Sequence, residues 1–213
     1  MRIRTYVISA NLLFCMIYAC AQKNLIDEVT LMRRSSCAFT GHRPSKFPWK
    51  YDEADSRCIA LKSALAEQIR LLADTGVTQF LSGMAEAVDT WSALSVLALR
   101  EENPALKLHC ILPCREQADK WTASSRDLYR SILERADSVV LVSRKYHANC
   151  VLDRNRFLVE HASTLLAIYN GERRGGTAAT VRYAQKMGRE IIAIDPITRL
   201  ISYGASAPCP AHP

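Results

Sequence analysis

The sequence predicts an α/β fold: a doubly wound, mainly parallel Rossmann-like sheet with helices on both faces. Three observations predict it. Short, nearly continuous apolar segments of strand length recur from residue 36 onward, as strands buried on both faces require. A helical pattern separates most of these segments from the next, and strand–helix alternation builds parallel sheets. The polar and glycine-rich stretches follow the apolar segments directly, where the carboxyl edge of such a sheet holds ligands.

The strands are expected at 36–40, 78–81, 108–112, 138–142, 165–169 and 190–194. The first helix keeps Ile59, Leu61, Leu65, Ile69 and Leu72 as its apolar positions, and Gly76 can end it. The second, 87–100, is apolar almost all round and should be well buried. Further helices are expected at 124–135, 152–161 and 177–186, the last stopped by Gly188. The domain so defined is 32–196, with 197–213 as a proline-bearing tail.

Arg2 and Arg4 precede an apolar run over 7–21, which has the form of a signal peptide. The competing reading starts the protein at Met32, directly before the first strand. It fits a domain of cytosolic character better, so 1–31 is set apart as an N-terminal extension and a cytoplasmic location is expected. Export is the alternative if the segment is a true signal. No membrane role is expected of the core domain.

The 213 residues carry 28 basic and 21 acidic side chains, a net charge of +7. That excess suits anionic ligands such as phosphates. The basic residues are scattered rather than tracked, so nucleic acid is not the favoured partner. The eight cysteines form no CxxC pair, and several sit in apolar runs as small hydrophobes. His109, Cys110 and Cys114 lack the convergent pairs of a zinc site, and no metal is expected.

Three loops carry the candidate chemistry. Thr40-Gly41-His42-Arg43-Pro44 follows the first strand; Arg43 can clamp a phosphate, and His42 is an acid–base candidate. Gly83 to Asp89 follows the second; Asp89 can accept from ribose hydroxyls or from backbone N–H groups, and Glu86 is a second carboxylate nearby. Gly175-Gly176-Thr177 opens the last helix, where free N–H groups attract anions; an ordinary tight turn is the alternative. Trp121 can stack on a base or lid the core. Arg154-Asn155-Arg156 starts the helix after the fourth strand.

Together, TGHRP, SGMAxxxD, LPCxxQAxxW, the RNR helix start and GGTxxTVxYA resemble the YpsA-like proteins of the SLOG group of Rossmann-like domains. That group is related to DprA and to the lysine-decarboxylase-like phosphoribohydrolases. The resemblance spans about 36–195. It implies a ligand of nucleotide, NAD-related or ADP-ribose type. Thr40, Gly41, His42 and Arg43 would line the pocket, with Gly83 and Asp89 beside them. Arg154 and Asn155 would approach it, and Gly175, Gly176 and Thr177 would hold phosphate. Two positions depart from the family pattern. Ala87 stands where a glycine is usual, and Thr180 replaces the glutamate of the phosphoribohydrolase GGxGTxxE motif. The expected function is therefore binding or sensing of such a ligand. A nucleotide-processing N-glycosidase, with Asp89, Glu86 or His42 as catalytic candidates, is the alternative. DprA-like binding of single-stranded DNA is less favoured. A homodimer is compatible with buried helices of this kind.

Overall fold

Strand periodicity sorts the interior into two layers. β1 (Ser36–Gly41) sends Cys37 and Phe39 to one side of the sheet and Ala38 to the other. β5 (Thr164–Ile168) repeats this, with Leu166 and Ile168 opposite Leu165 and Ala167. The structure is a computed structural model and describes residues 35–204. The extension 1–31 lies outside the described residues.

The remaining strands are β2 (Gln79–Ser82), β3 (Lys107–Leu112), β4 (Ser138–Leu141), β6 (Glu190–Ile194) and β7 (Ile201–Gly204). Their order is β4-β3-β2-β1-β5-β6-β7, parallel except for β7, which runs antiparallel to β6. Helices α1 (Ser56–Asp74), α2 (Val88–Glu102) and α3 (Ala123–Arg135) supply the layer containing Phe39 and Phe80. Helices α4 (Cys150–Glu160) and α5 (Gly176–Lys186) supply the other. The doubly wound α/β architecture is thus present.

α1 forms because Asp55 caps it, accepting from the Arg57 backbone N–H at 2.8 Å, and because Leu61, Leu65, Ile69 and Leu72 share one buried face. Each such side chain contributes about 1.5–3 kcal/mol on burial. α2 lies between α1 and α3, which is why its sequence is apolar nearly all round. Among the described residues, no helix is long and apolar enough to cross a membrane.

Two expectations need correction. The apolar run at 138–142 is not buried on both faces: β4 is an edge strand, and Val139 is 45% exposed. The tail does not begin at 197, because Ile201–Gly204 joins the sheet as β7, pairing Ile194 with Ile201 and Ile191 with Gly204.

Candidate functional site

The strand order reverses between β1 and β5, which are neighbours although far apart in sequence. Gly41 pairs with Ile168 at the last register position; beyond them the two strands part and open a crevice. Gly41 must lack a side chain, since a Cβ there would lie 2.4 Å from Val88 at the start of α2. His42 Nε2 meets Asn170 Oδ1 at 3.1 Å, tying the two departing loops together.

A cavity of about 220 Å³ occupies this crevice. Thr40, Gly41, His42, Arg43, Asp89, Arg154, Asn155, Gly175, Gly176 and Thr177 all line it. Three helices begin at its wall: α2 near Asp89, α4 near Arg154, and α5 at Gly176. None of these three has a side-chain N-cap, whereas α1 and α3 are capped by Asp55 and Thr122. First-turn N–H groups without intrahelical partners carry the positive end of the helix dipole. At α5 the cap residue, Gly175, has φ +104, a left-handed conformation that favours glycine, and no atom lies within 4 Å of where its Cβ would be. Gly176 is equally open, so backbone can be approached closely there.

The wall opposite is a buried ion pair. Arg154 Nη1 lies 3.1 Å from Asp89 Oδ2, with both side chains more than nine-tenths buried. Asp89 Oδ2 also accepts from the Ala85 N–H at 3.1 Å. Burial presses the Arg154 guanidinium down from its ordinary range; Asp89 opposes that, and Arg43 adds to it. Arg154 Nε has no hydrogen-bond partner. A second anion in the cavity would therefore relieve two costs at once.

Of the expected ligand-binding residues, Gly83 does not line the cavity, and neither does the catalytic candidate Glu86. A Cβ at Gly83 would fall 1.4 Å from Arg154 Nη1 and 2.8 Å from Asp89 Oδ2. Its missing side chain makes room for the ion pair and not for a ligand. Glu86 does not pair with Asp89: it lines a separate groove with Lys50 and Trp91. Thr180 Oγ1 donates to Gly176 O at 2.9 Å and accepts from Asn155 Nδ2 at 3.0 Å, so its hydroxyl is engaged as both donor and acceptor.

Several cavity residues were not singled out from sequence: Lys46, Glu172 and Arg174, with Asn170 holding His42. Glu172 and Arg174 closely precede Gly175-Gly176-Thr177 in the sequence, and their charge was the available signal. The Asn170 side chain holds the Glu172 carboxyl below its ordinary range, aided by His42 and Lys46 against the effect of burial. Arg43, Lys46, Arg154 and Arg174 thus face only Asp89 and Glu172.

A second cavity, of about 490 Å³, shares Arg43, Val151 and Arg154 with the first. Cys114, Trp121, Tyr146 and Cys150 line it. A groove carrying Glu86 adjoins it at Trp121. Among the described residues, no three His, Cys, Asp or Glu side chains gather as a metal site. His109 instead bonds Ser138 and Gln79, both at 2.7 Å.

The family model for YpsA, described as the YspA SLOG family, matches residues 37–199. The chain belongs to this family. It is 31% identical over 149 residues to a UPF0398 protein of Lysinibacillus sphaericus (strain C3-41), covering 69% of the chain and 83% of that relative. It is 32% identical over 151 residues to a UPF0398 protein of Bacillus pumilus (strain SAFR-032), covering 70% and 80%. Among solved structures, DNA processing protein A from Helicobacter pylori, described for its single-stranded DNA binding mode, superposes with TM-score 0.51 at 18% identity, covering 77% and 67%. That likeness concerns the fold. Against the YpsA pattern, Ala87 has φ 72 and ψ −114, far from the helical angles that would tolerate its methyl easily.

Proposed function

We propose that this YpsA-family protein binds a phosphate-bearing ligand of nucleotide, NAD-related or ADP-ribose type in the crevice between β1 and β5, and acts by binding or sensing it. One observation carries the reading: three helix N-termini without side-chain caps and four cationic side chains converge on one small cavity. Phosphate would rest on the Gly176 and Thr177 N–H groups, with Arg43 and Arg174 at its flanks. The cavity carboxylates favour binding over glycosidic cleavage. Asp89 is engaged by Arg154 and the Ala85 N–H, and Glu172 by Asn170 and Lys46. Thr180 offers no carboxylate where the phosphoribohydrolase motif has one.

The test is a thermal-shift screen of the full chain against NAD, ADP-ribose and nucleoside mono- and triphosphates, with Arg43→Ala alongside. A saturable rise in melting temperature that Arg43→Ala abolishes is expected. A folded protein that responds to none of them would end this reading.

A second reading, binding of single-stranded DNA, draws on one feature: the cavities adjoin along the carboxyl edge through Arg43, Arg154 and Trp121. It requires oligonucleotide affinity that falls steeply with salt.

A further inference from the structure

We infer that the second cavity is the base compartment of the same ligand, and that Gln117 selects a base presenting an N–H donor. The inference rests on the proposed nucleotide-type reading and adds where the base lies and what reads it. Arg154 forms the shared wall, so a ligand with phosphate on the α5 N-terminus passes its guanidinium to enter the larger cavity. Arg154 lines both cavities, and its buried Nε is a donor without a partner, suited to a sugar or bridging oxygen.

The compartment's chemistry matches a flat heteroaromatic ring. Trp121 is half-buried and held in place: its ring meets Tyr129 edge-on at 5.3 Å, and its carbonyl accepts from Arg126 at 2.9 Å. An indole fixed in the lining of a cavity is a candidate stacking platform. Cys114 and Cys150 add polarisable sulfur to the lining, and Tyr146 stands exposed at the rim.

Gln117 supplies the selectivity. Its Nε2 donates to Gly83 O at 3.1 Å and Met84 O at 2.5 Å, which uses both amide hydrogens and fixes which way the amide faces. Oε1 is then an acceptor, and it is buried with no partner. A side chain anchored by its donors and left with a free acceptor beside a cavity is matched by a ligand N–H, such as the exocyclic amine of an aminopurine. A base without such a donor leaves the acceptor unpaired.

The experiment compares ADP, purine riboside 5′-diphosphate (which lacks the 6-amino group) and inorganic pyrophosphate, titrated calorimetrically and by tryptophan fluorescence into the full chain. ADP should quench the fluorescence and bind at least ~10-fold more tightly than either of the others, the usual consequence of an unmatched buried polar group. Gln117→Met should bring ADP and the purine analogue to equal affinity, and Trp121→Leu should remove the quench. The ADP-to-purine ratio in the unaltered protein stands even if a variant fails to fold. Equal binding of all three probes by the unaltered protein would overturn the base compartment while leaving the phosphate site intact. Binding of none would remove the nucleotide reading beneath it.

Discussion

Ala87 shows how one methyl group can carry a backbone's history. At φ 72 and ψ −114 it sits where residues other than glycine are strained, by about 1–3 kcal/mol. It is also buried, so removing the methyl gives up about 0.8 kcal/mol of burial. The ψ value places it well outside even the small left-handed region, so strain should be the larger quantity. Ala87→Gly is therefore expected to raise the denaturant midpoint, by an amount corresponding to about 1 kcal/mol of stability. A lower midpoint would mean that the methyl's packing outweighs its strain. The sequence flagged this position through the family pattern but not its angles. Gly83 was harder to read. Its constraint comes from Arg154, a residue of a later helix, and only the fold reveals that the two share one volume. Arg43, Asp89 and the Gly175-Gly176-Thr177 loop were legible because loops after strands in a parallel sheet have only one edge on which to gather.

Among the elements, apolar content foretold strands well and their place in the sheet poorly. After Ser138 and Thr164, β4 and β5 are both runs of Val, Leu, Ile or Ala, yet β5 pairs on both sides and β4 on one. A buried edge and an exposed one look alike in a short apolar run, since pairing partners are set by the whole topology. This gives a contrast to measure. Val140 is 36% exposed and Leu166 fully buried. Val140→Thr on β4 should change stability by no more than about 0.5 kcal/mol, whereas Leu166→Ala on β5 should cost about 2–5 kcal/mol. Comparable losses in urea unfolding would show that β4 is covered in solution. Helix caps behaved differently. Asp55 and Thr122 are ordinary capping residues, while Ala87, Asn149 and Gly175 leave their helices without side-chain caps. The uncapped starts coincide with the crevice, so what a local reading scores as weak helix entry is, in the assembled sheet, a gathering of helix N-termini without side-chain caps.

For the whole molecule, the sequence anticipated the doubly wound architecture because alternation alone restricts such chains to few topologies. It did not anticipate β7, whose short segment after a proline-bearing turn has no helix to announce it. Its treatment of cysteines as small hydrophobes has a consequence for the pH dependence of stability. Burial pushes the Cys37 and Cys110 thiols to about 12 and Cys114 to about 11, and the Tyr129 phenol to about 12. In the unfolded chain thiols ionise near 9 and phenols near 10. Below pH 9 both states hold these protons, and stability is insensitive to them. From pH 9 upward the unfolded chain releases protons that the folded chain retains, so folding stability falls, by about 1.4 kcal/mol per pH unit for each thiol, until the folded groups also ionise. Urea unfolding between pH 7 and 11 should thus show a plateau followed by a steep decline. Cys110→Ala removes one group, so its stability, whatever its value at pH 7, should decline with a shallower slope above pH 9. Parallel slopes for the two proteins would mean that the Cys110 thiol ionises as readily inside the fold as outside it, which is incompatible with its place in the interior of β3.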